Sequence, residues 1–154
     1  LMLTTAETIK IPNATIIPCI ADFVSQGRSV TLRIAGNSMS PMLRHERDFV
    51  VLSPFTSADI RKGAVVLARV MPDVYVVHRI HRAMPDGTLI LMGDGNIGTT
   101  EQCTTSDVLA LASAFKRKGA HISTQSLAWR LYSALWTHTP LLLRRIFLAI
   151  QRRC

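Results

Sequence analysis

Acidic residues are missing from the end of this 154-residue chain. Residues 108–154 contain eight Lys or Arg and no Asp or Glu, whereas residues 1–107 contain ten of each kind. The whole net charge of +8 therefore sits in the C-terminal segment. That is a neutral domain with a basic tail, not a chain basic throughout, and it speaks against a nucleic-acid binder. Cysteine is scarce: Cys19, Cys103 and Cys154 are odd in number and widely spaced. They offer no disulfide framework and no CxxC metal pair, which fits a reducing compartment. His45, His78, His81, His121 and His138 show neither HxxxH nor HExxH spacing, so no metal site is expected. No P-loop or dinucleotide glycine pattern is present, and no cofactor is expected.

Long apolar runs are also missing. No stretch reaches the roughly 18 apolar residues of a membrane span. Ala14–Val24 is broken by Pro18 and Asp22, and Leu141–Ile150 by Arg144 and Arg145. The start has neither the basic residues nor the small-residue cleavage site of a signal peptide. The expectation is a chain made and kept in the cytoplasm. Glycine and proline are few (8 and 7), and 48% of residues are hydrophobic against 18% charged, which excludes a disordered or fibrous chain. The length suits one domain with its own core.

Three regions are expected: residues 1–27, 28–119 and 120–154. The first is an extended segment over 1–13 and a helix over 15–26, with Ile16, Ile17, Ile20, Phe23 and Val24 at helical spacing and Gly27 as its stop. The second is rich in strands. Ser29–Ile34 alternates Val30, Leu32 and Ile34 with polar residues. Asp48–Leu52, Ala64–Val70, Val74–His81, Thr88–Met92 and Val108–Lys116 follow, bounded by Gly, Pro or Asp. Pro85-Asp86-Gly87 reads as a hairpin turn. The fold class is mainly β, a small coiled sheet or barrel of antiparallel strands, with an N-terminal helix and a C-terminal helical basic tail. In that tail Leu127, Leu131 and Leu135 recur at helical spacing over Ser126–Trp136, and Thr139-Pro140 opens a second helix over Leu141–Arg153.

The sharpest chemical signal is Gly36-Asn37-Ser38-Met39-Ser40-Pro41-Met42-Leu43. A serine in a tight loop after a strand is held exposed and rigid, as a nucleophile must be. Three further blocks follow in order: Asp48-Phe49-Val50-Val51-Leu52 with Lys62-Gly63-Ala64-Val65-Val66, then Tyr75-Val76-Val77-His78-Arg79-Ile80, then Met92-Gly93-Asp94-Gly95-Asn96. Together they resemble the serine peptidases of the signal peptidase I and LexA-type superfamily, over roughly residues 30–115. His-Arg in the third block and Gly-Asp-x-Asn in the fourth look like the endoplasmic-reticulum and archaeal branch. Arg47-Asp48 stands where that family has Gly-Asp.

The resemblance implies Ser38 as nucleophile, His78 as general base and then acid, and substrate contacts at Met39 and Pro41. The residue types agree with those roles. A serine hydroxyl needs a base, and imidazole suits that task near neutral pH. His78 shares a strand face with Val76 and Ile80, whereas His81 faces the other way. The carboxylate that orients His78 is expected to be Asp94, with Glu101 in reserve. Ser38 N–H is the minimum oxyanion donor, since the position two residues earlier is Gly36 and has no hydroxyl. Ser40 reads as a turn hydroxyl.

The function this implies is a serine endopeptidase that cleaves an extended peptide or leader segment through an acyl-enzyme. The alternative is a non-catalytic peptide- or regulator-binding module of the same fold, with the basic tail binding membrane, nucleic acid or a partner protein. The tail, with Trp129, Tyr132, Trp136 and five arginines, either lies on an anionic membrane at the inner surface or packs on the sheet with its arginines in water.

Overall fold

The computed structural model describes residues 12–153. The extended segment expected over 1–13 falls almost wholly outside them. Helix α1 (Asn13–Ser25) comes first and ends at Gly27, whose φ of +87° suits a residue without Cβ. Ile17, Ile20 and Val24, at helical spacing, are its buried face.

Eight strands follow, all paired antiparallel: β1 (Val30–Arg33), β2 (Phe49–Ser53), β3 (Val65–Met71), β4 (Val74–Ala83), β5 (Thr88–Met92), β6 (Glu101–Thr104), β7 (Val108–Arg117) and β8 (Ala120–Ser123). Their order in the sheet is β1-β2-β7-β3-β4-β5-β6, with β8 beside β7. The sheet is open, with β1 and β6 at its ends. Strands β6 and β8 have no counterpart in the sequence reading. Glu101–Thr104 is mostly polar, and Ala120–Ser123 takes up the first residues of the expected tail. The tight turn Lys118-Gly119, with both residues at positive φ, folds β8 back onto β7.

Strand β3 is buried on both sides. Val65 and Leu67 join a core with α1, β1, β2, Phe115 and Trp129, while Val66 and Ala68 join a second core with Ile80, Leu89, Leu91 and Cys103. A strand covered on both faces reads as an unbroken apolar run, as Val65-Val66-Leu67-Ala68 does.

Two helices close the described chain: α2 (Leu127–His138) and α3 (Leu141–Arg153). Ser126 caps α2 by accepting a hydrogen bond from Trp129 N–H. Helix α2 packs on the sheet through a run of aromatic contacts, Phe115 on Trp129, Trp129 on Tyr132 and Tyr132 on Trp136. Arg144, buried at the start of α3, donates to the carbonyls of Thr137 and Thr139 and lies over the Trp136 ring. Among the described residues no helix is long and apolar enough to cross a membrane.

Candidate active site

The loop from Ala35 to Asp48 carries Ser38, and its shape is fixed from within. Ser40 N–H donates to Asn37 O and Leu43 N–H to Met39 O, so the chain turns twice in succession. Its far end is tied down by Asp48, which is fully buried. That carboxylate accepts from Arg47 Nε (2.7 Å), Arg47 Nη2 (2.6 Å), Arg44 N–H (2.9 Å) and Lys118 N–H (3.1 Å). Burial alone raises a carboxyl pKa. Here the guanidinium and the two amides outweigh it and hold Asp48 below its ordinary value.

The Gly93-Asp94-Gly95 turn after β5 presses against this loop. Gly95 N–H donates to Ser38 O at 2.8 Å. A Cβ on Gly93 would stand 2.3 Å from Ser38 O and 3.1 Å from His78 Nε2, and a Cβ on Gly95 would stand 2.6 Å from Asn37 O. Neither turn position admits a side chain. Gly93 is the place where the serine loop, the histidine and the turn meet.

His78 is 4% exposed, and its Nδ1 lies 2.9 Å from Glu101 Oε2. In the neutral imidazole tautomer that donates Nδ1–H to the Glu101 carboxylate, Nε2 keeps its lone pair, and that nitrogen faces Gly93 beside the serine loop. Ser38 Oγ is not hydrogen-bonded to that nitrogen among the described residues. Both residues line one cleft of about 160 Å³, together with Met39, Leu32, Tyr75 and Val77.

The expectation for Asp94 is corrected. Its carboxylate forms a paired, two-bond contact with Arg79, at 2.8 Å to Nε and 2.7 Å to Nη2, and accepts from Tyr132 OH at 2.9 Å. The reason lies in the register. Met92 pairs with Arg79, and Asp94, two residues on, falls on the same face as Arg79. Leu91 pairs with both Ile80 and Glu101, which puts Glu101 on the face of Ile80 and His78. Glu101 thus occupies the place expected of Asp94.

Arg79 is the hub of the opposite face. It also donates to Gly63 O and Ser133 Oγ and lies over the rings of Trp129 and Tyr132. Burial disfavours its charge, but the Asp94 contact wins and raises its pKa. Burial pushes the Tyr132 hydroxyl up, and the Asp94 charge adds to the shift. The sequence marks Tyr132 only as a tail aromatic and does not single out Ser133, because nothing in the tail pattern distinguishes a hydroxyl that reaches an ion pair.

Of the expected substrate contacts, Met39 lines the cleft and is also a core residue at 2% exposure. Pro41 is buried and is not among the residues that line the cleft, because the double turn folds residues 40–43 inward. Ser40 Oγ is directed to Leu43 O at 3.5 Å, as a turn hydroxyl. His81 sits at an irregularity between Ile80 and Arg82 where β4 leaves strict register, outside the cleft. Among the described residues no group of three His, Cys, Asp or Glu is placed to hold a metal ion.

No protein-family model, curated protein or solved structure matches this chain.

Proposed function

We propose that the protein is a serine endopeptidase of the signal peptidase and LexA-type kind, with Ser38 as nucleophile, His78 as base and Glu101 as the residue that orients His78. The observation that carries this reading is the line Glu101–His78–Ser38, in which one imidazole nitrogen is held by a carboxylate and the other faces the serine loop across Gly93. The four sequence blocks and the antiparallel sheet support the same fold family.

The chemistry follows. Ser38 Oγ attacks the scissile carbonyl carbon while His78 Nε2 takes its proton. The imidazolium that forms is stabilised by Glu101. Ser38 N–H has no acceptor among the described residues and is free to donate to the developing oxyanion. The tetrahedral species expels the amine, which leaves with the proton from His78, and the acyl group stays on Ser38. Water then attacks the ester, gives its proton to His78, and Ser38 Oγ recovers that proton as the acid product departs.

The surroundings suit an extended peptide. Among the described residues strand β1 pairs with β2 alone. Strand β4 pairs with β5 only from Arg79 onward, so among the described residues Val74–His78 has a strand neighbour on one side alone. Both segments border the cleft, and a peptide strand can add its backbone hydrogen bonds there. A cleft of about 160 Å³ has room for about one benzene-sized group, about 150 Å³, and so for one side chain of the peptide.

The second reading is a peptide-binding module without catalysis. The observation in its favour is that Ser38 Oγ lacks a hydrogen bond to His78, although such bonds commonly tighten only when substrate is bound. A serine-directed acylating probe read by intact mass separates the two. The peptidase reading expects one adduct on the wild type, retained in Ser40→Ala and lost in Ser38→Ala and His78→Ala. A folded wild type that takes no label from several probe chemistries, and cuts none of a peptide library, would support the binding module.

A further inference from the structure

Helices α2 and α3 both turn apolar rows away from the rest of the protein. In α3 the packed residues are Arg144 and Leu148. The large apolar side chains Leu142, Leu143, Ile146 and Ile150 look outward, and with Phe147, which also sets its edge against Trp136, they are between 50% and 68% exposed. Their spacing of three and four residues makes them one continuous face. In α2 the packed residues are Trp129 and Trp136, while Leu127, Leu131 and Leu135, four residues apart, are 72%, 55% and 69% exposed. Scattered exposed leucines are ordinary, but two adjoining helices with outward apolar rows are not.

The charges beside these rows have one sign. Every charged side chain from Leu127 to Arg153 is an arginine, and Arg130, Arg145, Arg152 and Arg153 are exposed. Beside α2, a groove of about 450 Å³ is lined by Arg61, Lys62 and Arg130 against one acid, Asp59. A second copy of this chain would bring arginine to arginine across the contact. A surface of anionic lipid takes both parts: the apolar rows enter the boundary between headgroups and acyl chains, and the arginines meet phosphates. The corner between the helices is held by Arg144, so the rows are presented by a fixed element.

We infer that α2 and α3 dock this protein onto an anionic membrane surface. This inference stands on the helix faces and charges and does not depend on the peptidase reading.

The test is co-sedimentation of the full chain with vesicles of phosphatidylcholine and phosphatidylglycerol in equal parts, against vesicles of phosphatidylcholine alone. Binding is expected to the anionic vesicles, to weaken with added salt, and to be slight on the neutral ones. The double substitution Leu143→Glu with Ile150→Glu should lower the partition coefficient at least about tenfold, because two apolar groups no longer enter the lipid. Both positions are half exposed, so the thermal midpoint should be unchanged. The pair Arg145→Gln with Arg152→Gln should instead flatten the salt dependence. The inference is overturned if the wild type stays in the supernatant with anionic vesicles, or if both double variants sediment as the wild type does. A concentration-dependent dimer in analytical ultracentrifugation, abolished by the glutamate pair and accompanied by no vesicle binding, would assign the face to a second copy instead.

Discussion

Glu101 Oε2 lies 2.9 Å from His78 Nδ1, and the pairing is set by a strand between them. Leu91 of β5 stands opposite Ile80 on one side and Glu101 on the other. A shift of either register by one residue would turn Glu101 away from the imidazole. Glu101→Gln keeps the shape and removes the charge. We expect the rate of acylation by the probe to fall on the order of 10³- to 10⁴-fold, with the thermal midpoint little changed. An unchanged rate would remove Glu101 from the catalytic line.

Asp94→Asn should behave differently. It leaves the Arg79 guanidinium buried beside an uncharged amide, a loss of about 3–5 kcal/mol for a broken buried pair. Tyr132→Phe removes one neutral donor from the same carboxylate and should cost only about 1 kcal/mol. Urea denaturation of the three proteins gives both values. A near-neutral Asp94→Asn would show that the ion pair adds little to stability.

Gly93→Ala introduces a methyl group where Ser38 O and His78 Nε2 already stand. The backbone oxygen cannot rotate aside as a side-chain tip can, so the serine loop must move. We expect a destabilisation of about 1–3 kcal/mol and loss of probe labelling in the fraction that remains folded. Labelling at the wild-type rate would contradict the placement of the loop.

Acid should unfold the protein partly through Asp48. Its folded pKa is held below the ordinary value, so its stabilising effect is complete above the unfolded-state pKa of about 3.9 and is lost as pH falls through the lower, folded value. Asp48→Asn should lower stability at neutral pH by about 2 kcal/mol and leave a shallower decline below pH ~4. Circular dichroism melts across pH 2–7 would check this; parallel curves for wild type and variant would contradict it.

Cys103 should be inert in the native state. Burial pushes its thiol up to about 11, with Asp107 adding to the shift. Alkylation at mildly alkaline pH, followed by peptide mapping, should modify exposed Cys19 and spare Cys103 until denaturant is added. Rapid native modification of Cys103 would mean that the second core opens readily.

Much of this fold could be read in the residues, since alternation marks β1, a bounded apolar-rich segment marks β4, and the Thr139-Pro140 pair marks the start of α3. Two strands could not. Glu101–Thr104 is a polar edge strand whose partner supplies the apolar surface, and Ala120–Ser123 is too short to show a period. Ser38 and His78 could be singled out because local blocks surround them. The carboxylate beside His78 could not, because the choice between Asp94 and Glu101 depends on register across three strands. Once Arg79 is seen opposite Met92, parity alone excludes Asp94. The row Leu127, Leu131 and Leu135 gave the helix correctly but not its orientation, which the indoles of Trp129 and Trp136 determine from the neighbouring face.

The contact between Tyr132 and Asp94 also orders events during synthesis. Chains emerge from the ribosome N-terminus first, and every residue of the serine loop, the histidine strand and the glutamate strand precedes α2. Until that helix appears, Asp94 and Arg79 lack the aromatic cover and the Tyr132 and Ser133 hydroxyls that complete their surroundings. The turn that braces Ser38 contains Asp94 itself. A growing chain therefore carries Ser38, His78 and Glu101 before it carries the helix that completes the surroundings of Asp94, and the turn that braces the serine loop is fully packed only after α2 has been made.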